Sequence, residues 1–218
     1  MQIRVENIVK NFGPTQVLRG ISLNMSAGEA LVLQGASGSG KSTLLYLLGG
    51  LDHPTSGSIF VSNKNISQMK DEDLAYYRNR FLGFIFQFHY LLPSMNCLDN
   101  IYLPARIAGV AIDSIQKRIF SLAERLEVTA CLKKFPYEIS GGEQQRINIV
   151  RALSLNPPIL LCDEPTGNLD SKTSQKVIAL IREMSKEKGT TLLIVTHDNS
   201  IAEQFPRRIL IQDGLIKS

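Results

Sequence analysis

The sequence predicts an α/β fold, a core of buried strands interrupted by a run of helices, and three observations carry that prediction. Short β-like runs at residues 3–9, 30–33, 59–61, 83–86, 159–162, 191–195 and 208–212 are separated by turn signals or helical patterns. Several of them are apolar throughout, the pattern of strands covered on both faces. From about 98 to 155 the periodicity is helical instead.

The elements follow from local chemistry. The N-terminal MQIRVENIVK alternates polar and apolar residues, as a half-buried strand does, and has neither the charged head nor the apolar run of a signal peptide. Within the helical stretch, 113–128 places Ile115, Ile119, Leu122 and Leu126 on one face, with Asp113 positioned as N-cap. That stretch starts soon after Phe88 and ends at Asn156-Pro157-Pro158, where proline stops a helix. Residues 208–212, an Asp213-Gly214 turn and Leu215-Ile216 read as a terminal hairpin. The expected organisation is one domain over 1–218, with an α/β core from 1–88 and 157–218 and a helical subdomain over about 89–156.

With 218 residues the chain can bury a sizeable core, and its 44% hydrophobic and 20% charged residues suit a soluble globular protein. Its net charge of +4 sits on scattered pairs such as Lys133-Lys134 and Arg207-Arg208, which read as solvated surface and not as a nucleic-acid stripe. Cys97, Cys131 and Cys162 lie too far apart for a CxxC pair, and reduced thiols of a cytosolic chain account for them. No apolar run approaches the roughly 20 residues that span a bilayer, so work at a membrane would require another chain to carry this one there.

The chemistry begins at Gly35-Ala36-Ser37-Gly38-Ser39-Gly40-Lys41-Ser42, which fits G-x-x-x-x-G-K-[ST] and runs on into Thr43. An apolar strand precedes it and a helical pattern follows. Glycines let successive N–H groups curl toward phosphate oxygens, and the helix N-terminus adds partial positive charge. Lys41 would then neutralise the outer phosphates, while the Ser42 hydroxyl is placed to hold Mg²⁺.

Hydrolysis also needs a second metal contact and a way to activate water. The apolar run 159–162 ends in Asp163-Glu164, and a parallel sheet would put both carboxylates beside the cradle. Alone, such a pair reads as charge at a helix N-terminus. Beside a phosphate cradle, Asp163 reads as the metal carboxylate and Glu164 as the residue that orients or deprotonates water. His197, after the run 191–195, is a structural residue on its sequence alone; strand order makes it a hydrogen-bond donor to the γ-phosphate and a positioner of water. Ser140, Gly141 and Gly142 open a further helical run and form a second polar helix N-terminus, suited to an anion but without a lysine.

The order of phosphate cradle, Gln87 after Phe84-Ile85-Phe86, the run SGGEQQR from Ser140, the carboxylate-ended strand, Gly167-Asn168-Leu169-Asp170 and Thr196-His197-Asp198 resembles the ATPase subunit of an ABC transporter over essentially the whole chain. The resemblance implies a P-loop core of ABC type with a small N-terminal β subdomain and an inserted α-helical subdomain. It implies ATP and Mg²⁺ as cofactors, and a second copy of the chain as partner. Two such subunits meet head to tail, and the signature residues Ser140, Gly141 and Gly142 contact the γ-phosphate held by the partner's P-loop. Gln87 is implied as a Mg²⁺ contact that links nucleotide to the transport partner, Asp170 as a residue of the dimer seam, and Phe12 as the aromatic stacked on adenine. Ile139 stands where leucine is usual, and Asn148 and Val150 replace small residues of the signature helix, which bears on that helix's packing.

Leu48-Gly49-Gly50-Leu51-Asp52, the run 82–93 and Gly167-Asn168-Leu169-Asp170 are similar to the bacterial lipoprotein-releasing subfamily, the LolD-type ATPases. Macrolide-export and cell-division ATPases are close alternatives, and a soluble ABC protein of translation or DNA repair is one of another class. The subfamily implies integral membrane subunits, a place on the cytoplasmic face of the bacterial inner membrane, and lipoprotein as the cargo. Phe88, Tyr90, Leu91 and Leu92, ended by Pro93, either line a groove for a partner's short helix or pack inside the helical subdomain.

Overall fold

The computed structural model describes residues 2–167 and 169–217, so Asn168 of the Gly167–Asp170 motif lies outside the described residues. The chain opens with β1 (Ile3–Phe12), β2 (Thr15–Met25), β3 (Ala30–Gln34) and α1 (Lys41–Leu48). It continues with β4 (Ser56–Val61), β5 (Lys64–Asn65), α2 (Asp71–Phe81) and β6 (Leu82–Ile85). Three helices follow, α3 (Cys97–Ala108), α4 (Ile112–Arg125) and α5 (Gly141–Leu153). The rest is β7 (Ile159–Asp163), α6 (Ser171–Lys188), β8 (Thr191–Val195), α7 (Asn199–Ala202), β9 (Arg207–Gln212) and β10 (Leu215–Lys217).

Two sheets result. The smaller is antiparallel, in the order β2-β1-β4-β5. The larger has six strands in the order β10-β9-β3-β8-β7-β6, parallel except for β10. Side chains of successive strand residues point to opposite faces, and here both faces are covered. Leu31, Leu33, Leu161, Leu193 and Val195 pack with Leu44, Leu45 and Leu48 of α1 and with the antiparallel sheet. Val32, Leu160, Cys162, Leu192 and Ile194 pack with the helical side, including Ile101, Ile119, Ile149 and Ile178. Each residue of β7 and β8 is buried, which is why those strands read as unbroken apolar runs. The three cysteines are free thiols in this interior.

Two expectations need correction. Asp113 is not an N-cap: α4 starts at Ile112 behind Ala111, and Asp113 sits in its first turn. Gly109, at φ 66, ends α3 with a tight turn, and the N-cap of the next helix falls at Ala111, two residues before Asp113. Asp113 there still places negative charge at the positive end of the helix. The same helix closes at Arg125, short of the expected 128. β2 was not anticipated, because the spacing of its buried Leu18, Ile21, Leu23 and Met25 breaks the period of two where the ladder with β1 is bulged. The terminal hairpin forms as expected, with Leu215 opposite Gln212 and both turn residues, Asp213 and Gly214, at positive φ.

Gly83 brings α5 onto the large sheet. A Cβ there would stand 2.5 Å from the Ala152 carbonyl oxygen and 2.8 Å from Leu160 Cδ1. The helix backbone therefore passes over β6 at a distance only glycine allows. Gly83→Ala is expected to lower stability by about 1–3 kcal/mol through overpacking, read as a lower urea midpoint at unchanged slope. An unchanged midpoint would mean that α5 rides higher over the strand than described.

Candidate functional site

The site is set by strand register. Leu33 of β3 pairs with Val195 of β8, and Val195 pairs with Asp163 of β7, so three strand ends lie in one row. Backbone bonds extend the row: Glu164 N–H donates to the Val195 carbonyl (2.9 Å) and Thr196 N–H to that of Leu33 (3.2 Å). The loop after β3, Glu164 and His197 therefore emerge together at the C-terminal edge of the sheet, where ligands of parallel α/β sheets bind.

The loop is shaped for a polyanion. Gly35 has φ 152, and a Cβ on it would collide with the Ile211 carbonyl, so only glycine lets the chain leave β3 in this direction. α1 begins behind Gly40 with no side-chain cap and no acidic residue in its first turn, which leaves its N–H groups and positive dipole end to a ligand. Lys41 Nζ donates to the carbonyls of Gly35 (2.9 Å) and Ala36 (2.8 Å). Burial lowers the Lys41 pKa, and the charges of Glu164 and Asp163 oppose that shift. A cavity of ≈ 560 Å³ is lined by Ser37, Gly38, Gly40, Lys41, Ser42 and Thr43, with Val17, Gln87, Glu164 and His197 completing the wall. Its volume is in the range of small-ligand sites.

Asp163 is 2% exposed and both of its oxygens are engaged. Ser42 Oγ donates to Oδ1 at 2.8 Å and Tyr46 Oη to Oδ2 at 3.0 Å. Burial raises the Asp163 pKa, and the two hydroxyl donors oppose it by favouring the ionised form. Burial, with the Asp163 charge and hydrogen bond, pushes the Tyr46 phenol up to about 12, so it remains a donor. Among the described residues no group of three or more His, Cys, Asp or Glu gathers into an all-protein metal cage. The hydroxyl and carboxylate oxygens of Ser42 and Asp163 nevertheless fit Mg²⁺, a hard cation that takes one or two protein oxygens when nucleotide phosphates supply others.

Glu164 sits next to that pair with φ 45, an uncommon backbone state for a residue with a side chain. Its Oε1 accepts the His197 backbone N–H at 2.9 Å and lies 2.7 Å from His197 Nδ1. Thr196 Oγ1 donates to Oε2 at 3.1 Å. The carboxylate is thus aimed by three groups from the next strand.

Other expected residues lie apart from this cavity. Phe12 is exposed at the end of the β1–β2 hairpin, with Lys10 Nζ 4.8 Å from its ring centre, and Val17 is the antiparallel-sheet residue that lines the cavity. Ser140, Gly141 and Gly142 are not in the lining. Ser140 caps α5 instead: Glu143 Oε2 accepts from the Ser140 backbone (2.8 Å) and hydroxyl (2.7 Å), and Glu143 N–H donates back to Ser140 Oγ. These bonds from Ser140, with a 3.3 Å bond from the Cys131 thiol, push Glu143 down to about 2. Asp170 caps α6 by accepting from Thr173 N–H at 3.0 Å.

The signature helix is tied to the segment around Gln87. Arg151 donates to the carbonyls of His89 and Tyr90, both at 2.8 Å, and to Asn148 Oδ1 at 2.9 Å. Asn148 is fully buried and its amide reaches the Phe86 carbonyl at 3.5 Å, so the larger side chain at this position packs as part of a polar bridge. Ile139 and Val150 are buried apolar residues of the same core.

The ABC transporter sequence profile matches residues 18–167. The chain belongs to the ABC transporter family. It is 44% identical to the lipoprotein-releasing system ATP-binding protein LolD of Alcanivorax borkumensis, over 93% of this chain and 89% of that protein. It is 41% identical to the LolD protein of Syntrophus aciditrophicus, over 98% of each chain. Among solved structures it resembles dimeric MJ0796, a bacterial ABC transporter cassette, with TM-score 0.93 and 36% identity over 99% of this chain and 97% of that one. It also resembles the post-hydrolysis dimer of MJ0796 bound to ADP and Pi, with TM-score 0.92 and 35% identity over the same shares. Within the ABC transporter family the chain is an ATP-binding and ATP-hydrolysing subunit of the lipoprotein-releasing type.

Sequence reasoning missed three contributors to this ABC site. Tyr46 was readable from spacing, since it stands four residues after Ser42 and shares its helix face. Thr196 was quoted only as part of a motif, and Val17 lies in the unanticipated strand, so neither carried a signal of its own. The cap at Ser140 has a pH consequence. Glu143 has its carboxyl depressed in the folded chain, so its contribution to stability is complete above about pH 4.5 and is lost as pH falls toward 2. The stability advantage of wild type over Glu143→Gln, read from urea midpoints, is expected to shrink across that window. Parallel pH curves for the two proteins would contradict it.

Proposed function

We propose that two copies of the chain close head to tail around two ATP molecules, each lending Ser140, Gly141 and Gly142 to the γ-phosphate held by the other's phosphate loop. The observation that carries this reading is the row of Leu33, Val195 and Asp163, which gathers the phosphate loop, the Ser42–Asp163 pair and the Glu164–His197 pair at one edge while Ser140 faces elsewhere. The dimeric state of MJ0796 supports it.

In the site so formed, the Gly35–Gly40 loop and Lys41 hold the phosphates, and Phe12 offers its exposed ring face to adenine. Ser42, Asp163 and Gln87 hold Mg²⁺, which when bound neutralises phosphate charge during transfer. Glu164, aimed by Thr196 and His197, takes the proton from the attacking water, giving ADP and phosphate. Its Oε1 receives the Nδ1–H of His197, which turns the ring's Nε2 toward the nucleotide; Nε2 donates when the ring carries both protons. ATP bridges the closed dimer, so hydrolysis removes the ligand that favours closure.

From the cytoplasmic face of a bacterial inner membrane the chain drives release of lipoprotein from that membrane's outer leaflet, in keeping with the names of the relatives. Membrane passage belongs to integral partner subunits; no helix of the described residues is long and apolar enough to cross a membrane. Those subunits dock at the segment Phe88 to Leu92, where Phe88 and Tyr90 are 64% and 63% exposed beside a groove of ≈ 430 Å³ lined by Phe84, Phe86, Pro104 and Ile107. Leu91 packs on the core and supports that surface from within.

Glu164→Gln keeps the shape of the side chain and removes the base. It is expected to lower turnover by about 10²-fold or more, leave ATP binding intact, and hold an ATP-dependent dimer that light scattering after sizing chromatography detects. An ATP-loaded monomer would sink the head-to-tail reading.

A further inference from the structure

We infer that Tyr46 is a positioning residue for the metal-bound nucleotide: its hydroxyl on Asp163 fixes the plane in which the carboxylate faces Ser42 and the cation. The proposal rests on the reading of Asp163 as the metal carboxylate. Ser42 and Tyr46 are one turn apart on α1, and their hydroxyls reach opposite oxygens of the same buried side chain, at 2.8 and 3.0 Å. A carboxylate held by one donor could rotate about its Cβ–Cγ bond and turn its plane away from Ser42. Held by two, it has one orientation, with Oδ1 toward Ser42 and Oδ2 turned away into the protein. Without the phenol, Oδ2 would be a buried acceptor with one fewer partner, and the carboxylate would turn to recover one.

The tyrosine is itself held. Its ring centre lies 6.0 Å from that of Phe84, tilted by 44°. Phe84 stacks on Phe86 at 4.0 Å, and Phe86 meets the edge of Tyr90 at 5.1 Å. The row thus runs from the Asp163 carboxylate to the exposed Tyr90, whose carbonyl Arg151 grips. Aromatic contacts of this kind have preferred geometries. Through these contacts Tyr46 is packed, ring by ring, to Tyr90.

Tyr46→Phe tests the hydroxyl alone, because the ring and its contact with Phe84 remain. Binding of the β,γ-imido analogue of ATP is measured by calorimetry on the full chain, with excess Mg²⁺ and again with a chelator. The variant is expected to bind the Mg²⁺-loaded analogue about 5- to 10-fold more weakly, less than the full worth of one hydrogen bond to a charged group because the carboxylate keeps its bond to Ser42, and the metal-free analogue as wild type does. An equal loss in both conditions, or no loss in either, would overturn the proposal. Asp163→Asn is the reference: if it too shows no metal-dependent loss, the assignment of Asp163 has failed, whereas a loss there without one in Tyr46→Phe rejects Tyr46 alone. Phe84→Leu keeps the hydroxyl and loosens the ring beside it. It is expected to show a smaller loss of the same metal-dependent kind, and its absence would remove the aromatic row from the proposal.

Discussion

Everything at the nucleotide edge depends on the register of three parallel strands. β3, β8 and β7 are apolar on both faces, so burial alone would tolerate a slip that exchanges one face for the other. Hydrogen bonds do not tolerate it. Moving β7 by one residue would carry Asp163 away from Ser42 and Tyr46 and leave Glu164 short of Thr196 and His197. The polar cluster thus specifies an alignment that the hydrophobic interior needs but cannot select, and the strain at Glu164 is tolerated because Val195, Thr196 and His197 at the end of β8 hold it.

α5 connects Ser140 to the segment around Gln87. Its N-terminus presents Ser140, and its buried polar side chains grip the carbonyls that flank Gln87. Gln145 adds a bond to the Pro165 carbonyl, just past Asp163 and Glu164. The helix is pinned at Gly83 below and along this polar seam.

How much was legible from residues alone followed from how local each signal was. The phosphate loop, the carboxylate-ended strand and the terminal hairpin each depend on neighbours in sequence, and all three stand where their chemistry put them. β2 was hidden because its bulge interrupts alternation over the residues where period is read. Asp113 was misplaced because the turn that starts α4 is set by the left-handed Gly109 ending the helix before it. Tyr46 stands in an apolar helical run, and only the folded sheet brings Asp163 to its hydroxyl. The placement of Ser140 away from its own chain's cavity is a property of tertiary distance, which no spacing rule contains.

The contacts of Lys41 bear on which solutes can displace one another from the cradle. Its ammonium already has two carbonyl oxygens of its own loop as partners. An incoming anion must exchange for them instead of neutralising a bare cation, so its gain is the difference between two sets of contacts. A monovalent oxyanion offers little beyond what the loop supplies, while a polyphosphate can satisfy the ammonium and the helix amides together. Discrimination against the abundant small anions of the cell is therefore built into the resting shape of the loop, and needs no gate.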